Sequence, residues 1–489
     1  MKRLLFLIIS FLIFLCIKSN STEKYSLAQY ISMVLSENQE LKLKGFKLKQ
    51  SEAVVKSKQK LGPLQTNLSF DNASSNRLST DILDSVDIVS NKSKNVSANL
   101  SKTFITGSNL GISYGYSFLE SNSRKLPEAL RSYHSSNVNI NLSQPLLAGL
   151  SNIYNRRELR IAQFDNKLSD LELHKLMSDI IIKAIESYYG LMLAQKQVKI
   201  KKQGLDIAKA HAKMLENLVE KELETEQKLL EHRAQLLEKE NAVYSSENDF
   251  LEKLSTFLEL VNITQNVHNV ELTSSPMNPF PVSEKISLES IIEDAYKSRN
   301  DYQTAKTKVS KAKVSLDIKK SKTLPDLSLK TNYYIYGTDP GFDETFSNMG
   351  SNDFNSWSVG LNFVLTVDRG YRKNQVQPLA MALKESQYHQ NTLQTKIRRD
   401  LNRILSILEL NYKQYMASKN ALSLAENNFK DAKILLDKGF ISGNDLLEHQ
   451  KNREMSEYQH LNSLIQFTLN IYRLKEKQGR LLSDFNVIK

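Results

Sequence analysis

Cysteine occurs once in the 489 residues, at Cys16, so no disulfide can form within the chain and disulfide-scaffold folds are excluded. Glycine and proline are scarce, at 16 and 9 residues. That scarcity excludes collagen-like and low-complexity chains and favours long uninterrupted helices. Beyond Ile17 no apolar run approaches the roughly 18 to 20 residues of a membrane-spanning helix, so any crossing of a bilayer would fall to strands. HExxH, GxSxG, P-loop patterns and paired cysteines are also missing, which leaves no constellation for metal-dependent, acyl-transfer or nucleotide chemistry. The sequence implies no enzyme activity, cofactor or metal.

The net charge is +12, yet Lys and Arg are scattered and alternate with Glu along helical segments. This is the pattern of a solvated helix surface, not of a nucleic-acid-binding face. At the N-terminus, MKRLLFLIISFLIFLCIKSNSTEK sets two basic residues before an apolar run from Leu4 to Ile17 and small polar residues after it. Residues 1–21 read as a secretory signal peptide cut after Ser21. Cys16, at the end of the run, is the candidate for lipid attachment, although Leu15 before it is not the small residue of a lipoprotein signal; the alternative is a hydrophobe in a discarded peptide.

What remains repeats itself. KGFISGNDLLEHQ at 438–450 echoes KELETEQKLLEHR at 221–233, and SLESII at 287–292 echoes SLAQYI at 26–31. Two structural repeats follow, 22–261 and 287–489, with a proline-bearing connector at 262–286. In each, a helical stretch gives way near a proline to alternation of period two, a strand signal: Leu110, Ile112, Tyr114, Tyr116 and Phe118 alternate with Gly and Ser, and Trp357, Val359, Leu361 and Phe363 with Ser, Gly and Asn. Strand regions are assigned to 63–145 and 325–367. The Ser- and Asn-rich 73–94 and the Gly-, Pro- and Asp-bearing 337–355 read as exposed loops. An aromatic face backed by a tiny or amide face is the pattern of transmembrane strands, though a half-buried soluble sheet alternates too.

The rest has helical period. Ile397, Leu401, Ile404, Leu408, Tyr412 and Tyr415 form a coiled-coil seam. Ala148–Glu222 spans 75 residues, matched by 224–260 with 287–323, while Asp368–Lys438 spans 71, matched by 442–478 with 26–60. Four helical rods of about 110 Å are expected, the shorter helices stacked end to end. Turns near 222–225 and 439–443 end the rods away from the strands. So few strands cannot close a barrel, so copies must assemble.

In order and spacing, the twofold repeat, LSQPLLAG at 142–149, FVLTVDRG at 363–370 and KGFISGNDLLEHQ resemble the outer membrane factor family, the TolC-like efflux proteins. The resemblance implies a mainly α fold with membrane β-strands, in which long coiled-coil α-hairpins form a periplasmic tunnel. It implies a homotrimer sharing a twelve-stranded outer-membrane barrel, four strands from each chain, with a periplasmic adaptor and an inner-membrane pump as partners and outer-membrane lipid around it. The first strand region is twice as long as the second and carries a hairpin signal at Thr106-Gly107-Ser108-Asn109, leaving four or six strands per chain. A structural coiled-coil surface protein or adhesin, with the strands as a soluble cap and no pore, is the rival reading.

At the second tip, Gly439 can take the left-handed conformation, and Ser442, followed by Gly443, can cap the next helix, with Asp445 completing a capping box. The resemblance adds a gate, in which acidic residues three apart ring the tunnel axis; Asp445 and Glu448 match that spacing. Leu436 and Ile441 stand where the family has linking residues and cannot make those links. In the first repeat Glu222 replaces the glycine, Lys228 and Glu231 the acids. His232 and His449, one in each copy, read as coiled-coil positions, not metal ligands.

Overall fold

The structure, a computed structural model, describes residues 23–59, 62–80, 83, 86–125, 127, 128, 131–147, 155–263, 270–273, 288–351, 354–365, 367–485 and 487. Cys16 and the signal segment lie outside the described residues, as do Ser287 and most of the connector. In chain order the elements are β1 (Glu23–Tyr25), α1 (Leu27–Glu37), α2 (Gln39–Gln59), β2 (Gln65–Leu78), β3 (Ile88–Thr103), β4 (Asn109–Ser121), β5 (Ser132–Pro145), α3 (Arg157–Glu220) and α4 (Glu226–Leu260). There follow β6 (Val270–Leu272), α5 (Leu288–Ser298), α6 (Asn300–Lys322), β7 (Asp326–Asp339), α7 (Phe342–Gly350), β8 (Asn355–Val364), α8 (Arg369–Asp437), α9 (Gly443–Gln478) and α10 (Leu481–Asp484).

Two compact units divide the chain, one drawn from 1–46, 171–303 and 392–489, the other from 47–170 and 304–391. In the first, α1 opens with a complete capping box between Ser26 and Gln29. Its Tyr30 is fully buried, stacks on Phe257 of α4 at 3.9 Å and donates to the Phe257 carbonyl at 2.9 Å. Tyr188 of α3 reaches the carbonyls of Tyr25 and Thr273 at 2.9 and 2.7 Å, which ties the parallel β1–β6 pair to the helices. A smaller cluster joins Ile291, Ile292 and Ala295 of α5 to Ile397 and Leu401 of the α8 seam.

The helix opening each repeat is broken. Asn38, in extended conformation, ends α1, and its Oδ1 accepts from Leu41 N to start α2 afresh. Arg299 marks the equivalent break between α5 and α6. These breaks also change the end-to-end pairing. Asn38 donates to the Leu260 carbonyl at the end of α4, and Arg299 to the Lys477 carbonyl at the end of α9. Each junction therefore lies within one repeat, whereas helix lengths alone had paired segments across repeats. The long helices α3 and α8 have 64 and 69 residues.

The second unit holds a six-stranded antiparallel sheet in the order β2-β3-β4-β5-β7-β8. Of the four or six strands per chain that the sequence left open, six form the sheet among the described residues, against the four of the resemblance. β3 and β4 turn through Phe104–Ser108, with Gly107 at φ 80°, and 73–94 is mostly ladder, from Ala73↔Ser93 to Leu78↔Ile88. Polar composition misled there because a strand with one wet face carries Ser and Asn as readily as a loop does. Residues 337–355 likewise hold the end of β7 and helix α7, packed on β5 and β7.

The register aligns one apolar face across the whole sheet. Leu68 faces Ala98, Leu100 faces Ile112, Ile112 faces Ile140, Ile140 faces Tyr333, and Tyr333 faces Trp357. The other face aligns Ser69, Ser97, Gly115, Asn137 and Tyr336. Trp357 and Leu361 remain 72% and 69% exposed, and among the described residues β2 and β8 are open edges. Strands of 10 to 16 residues meet the roughly 9 to 11 that a tilted membrane strand needs.

Candidate functional site

Both tips end their long helix in the same backbone motif. Glu222 N donates to Val219 O and Leu223 N to Leu218 O; Gly439 N donates to Leu436 O and Phe440 N to Leu435 O, each at 2.9 Å. This is the Schellman arrangement, and its penultimate residue must be left-handed. Gly439 takes φ 76° freely, but Glu222 takes φ 57° with a side chain in place. The left-handed conformation costs a non-glycine residue about 1 to 2 kcal/mol. Thr225, capping α4, makes no side-chain cap bond, so the first tip is the weaker of the two. Glu222→Gly is expected to raise stability by about 1 kcal/mol, read as a higher thermal midpoint, and Gly439→Ala to lower it by a similar amount.

At the second tip Ser442 N donates to Asp445 Oδ2 at 2.8 Å, Ser442 Oγ donates to the same oxygen at 2.7 Å, and Asp445 N donates back to Ser442 Oγ at 3.3 Å. Hydrogen bonds from the Ser442 side chain and backbone hold the Asp445 carboxyl below the usual carboxylate range, so it stays ionised. Asp445 and Glu448 are both exposed, three residues apart on the first turns of α9. Glu448 also lines a cleft of about 610 Å³ between α3, α4 and α9. In the first repeat, Lys228 pairs with Glu224 at 2.9 Å.

Behind the tip lies a polar knot that helical periodicity does not reveal. Glu454 of α9 is 4% exposed, accepts from Gln450 Nε2 at 2.8 Å, and has Lys201 of α3 and Lys239 of α4 at 3.7 and 3.6 Å. A Cβ at Gly204 of α3 would overlap its Oε1. Glycine inside a helix costs about 1 kcal/mol relative to alanine, so Gly204 was the one available sign of a close approach. Through these contacts Glu454 joins α9 to the first hairpin.

His232 packs against His211 of α3, ring centroids 4.7 Å apart, and not against His449. His211 Nε2 lies against Gly443, where any Cβ would overlap it, and His211 Nδ1 is buried without a hydrogen-bond partner. Burial lowers both pKa values; the opposing ring lowers His211 further, and for His232 the lowering by Lys228 is countered by Glu231. Gly443 starts α9, whose positive dipole end also disfavours an imidazolium. The packed tip therefore binds fewer protons than a separated one, whose histidines titrate near 6.5. Protonation therefore opposes packing, whose histidine contribution is full above 6.5 and declines as pH falls through the lowered values of the packed rings. Amide protection across the tip, taken relative to the intrinsic exchange rate at each pH, should fall as pH drops from about 7.5 to about 5.5. His211→Asn should flatten that response; equal acid sensitivity in the variant would disprove the assignment. Among the described residues no three His, Cys, Asp or Glu side chains converge as a metal site.

No family model and no curated protein matches the sequence. Solved structures do. The Campylobacter jejuni CmeC outer membrane channel is 16% identical, with a TM-score of 0.65 over 93% of this chain and 86% of that one. The open state of the Neisseria gonorrhoeae MtrE outer membrane channel is 13% identical, TM-score 0.64, over 93% and 89%. The Vibrio cholerae outer membrane protein VceC is 13% identical, TM-score 0.62, over 93% and 96%. The chain has the TolC-like channel fold of the outer membrane factors.

Proposed function

We propose that this chain is an outer-membrane channel, the passive exit duct of a tripartite efflux or type I secretion system. The observation that carries this reading is the apolar face that crosses six strands and is exposed at Leu68, Ile112, Ile140, Trp357 and Leu361, with α7 lying over it at Tyr116 and Ser136, on a sheet whose two edges are unpaired among the described residues. In lipid, open edges leave backbone groups unsatisfied, so copies must close the wall. A homotrimer of six-stranded chains would make eighteen strands, in the range of water-filled barrels. A soluble cap, as the adhesin reading needs, would bury that face instead. The helical hairpins would extend into the periplasm to a periplasmic adaptor and inner-membrane pump, which supplies the energy.

The tip of α9 is the gate in this reading. Trimerisation would bring Asp445 and Glu448 into acidic rings that attract cations, with Asp445 capping its helix at the same time. In planar bilayers, Asp445→Asn with Glu448→Gln should weaken divalent-cation block by about tenfold, the effect of losing roughly 1.4 kcal/mol of attraction. The asparagine keeps a cap acceptor while removing the charge. Block of unchanged strength would leave these residues a capping role only, and a purified chain that forms no pore at all would overturn the duct.

A further inference from the structure

Four chain segments connect helices to the sheet, and the up-and-down order of the strands brings all four to one edge: the start of β2, the end of β5, the start of β7 and the end of β8. The helix turns at that edge are strongly basic. The last turn of α2 carries Lys56 and Lys58, and that of α6 carries Lys319, Lys320 and Lys322, with no acid among them. Arg157 opens α3, flanked by Arg156 and Arg160, and Arg372 and Lys373 lie in the first turns of α8.

Helix dipoles account for only half of this. Lysine at a C-terminus is stabilised by the negative end of the dipole, but arginine at the N-termini of α3 and α8 faces the positive end and is disfavoured. An anion at this edge would satisfy both sets. Along the helix bodies, by contrast, cations are matched locally, as Lys413 is by Glu409 at 2.7 Å.

Three further observations point to the kind of anion. A cleft of about 950 Å³ opens between α2, α3, α6 and α8, with Lys58, Arg157, Lys319 and Lys322 beside apolar Val54, Ile161 and Ile318. Glu158 lies 2.7 Å from Lys58 and 4.0 Å from Arg157 at the mouth of this cleft. Arg156 Nε is buried without a hydrogen-bond partner. Large apolar side chains are exposed within a few residues of the basic turns, namely Leu64, Leu324, Val367 and Tyr371. Charge next to exposed apolar surface, at the border of a lipid-facing sheet, matches an amphiphile and not a free anion.

We propose that these sheet-proximal helix ends form a binding collar for anionic phospholipid headgroups of the adjoining membrane leaflet, with the cleft taking a headgroup and the first part of its acyl chain. The inference rests on the membrane-embedded reading above. Each basic side chain near an anionic surface contributes about a fivefold preference.

The test uses the full chain reconstituted in vesicles of phosphatidylcholine containing a minor fraction of phosphatidylglycerol. Particles are cut out with a styrene–maleic acid copolymer, and the lipids that leave with the protein are measured by mass spectrometry. Phosphatidylglycerol should be enriched at least about fivefold over the bulk ratio. The combined Arg156→Gln, Arg160→Gln, Lys319→Gln and Lys322→Gln variant should return it to the bulk ratio. Should that variant fail to fold, the wild type decides: enrichment should collapse when ionic strength rises from about 0.1 M to about 1 M, as the screening length shortens from roughly 10 Å to 3 Å. A wild type that inserts and conducts while holding phosphatidylglycerol at the bulk ratio, or whose enrichment ignores salt, overturns the collar alone. Failure to insert at all would remove the duct reading with it.

Discussion

Gly443→Ala is expected to pry the second tip away from the first hairpin. The added methyl would overlap His211 Nε2, and His232 also packs against that imidazole. Overpacking of this kind costs about 1 to 3 kcal/mol. The loss should appear as faster amide exchange in the first turns of α9 and, under the channel reading, as a larger open fraction in bilayers. A double-mutant cycle gives the decisive measurement. His211→Ala removes the obstacle, so the Gly443→Ala, His211→Ala pair should recover stability, with a coupling of about 1 kcal/mol or more. Simple additivity would show that Gly443 is glycine for some reason unrelated to that ring.

The sheet carries the other large effect. Val359 and Ser358 are neighbours in the middle of β8, both exposed in a single chain, yet the register places Val359 with Leu361 and Trp357 on the apolar face and Ser358 on the polar one. Arginine on a lipid-facing strand near the bilayer centre costs about 2 to 4 kcal/mol, while a lumen-facing arginine costs little. Val359→Arg should therefore abolish or sharply reduce folding into phospholipid vesicles, and Ser358→Arg should fold nearly as the wild type does. Trp357, the sole tryptophan, reports the same face optically. Its fluorescence should be quenched by acyl-brominated lipid and shielded from aqueous iodide. Equal penalties for the two arginines, or iodide quenching of Trp357 in vesicles, would remove the lipid-facing assignment.

Much of the molecule could be read from local spacing. Alternation at Trp357, Val359, Leu361 and Phe363, the seam from Ile397 to Tyr415, and the glycine and serine of the KGFISG turn each act within a few residues of backbone, and sequence records that range directly. The hairpin between β3 and β4 was signalled by its turn residues, but the full length of β2 and β3 was hidden under Ser and Asn. Their strand state depends on a ladder to neighbours, not on their own propensity. Breaks at Asn38 and Arg299 were equally silent, since each exists to receive the end of a helix far away in sequence.

The two-faced strands, the seams and the turns are thus written in the residues themselves, as products of short-range periodicity and capping. Which partners meet is set by packing between distant segments. That packing buried Glu454 between Lys201 and Lys239, set His211 rather than His449 beside His232, pressed Gly443 onto that ring, and gathered four basic helix ends along one edge of the sheet. A glutamate, a histidine or a lysine on a helix looks the same in sequence whether water or a distant helix faces it. That choice is made by long-range packing, whose contacts no local pattern encodes.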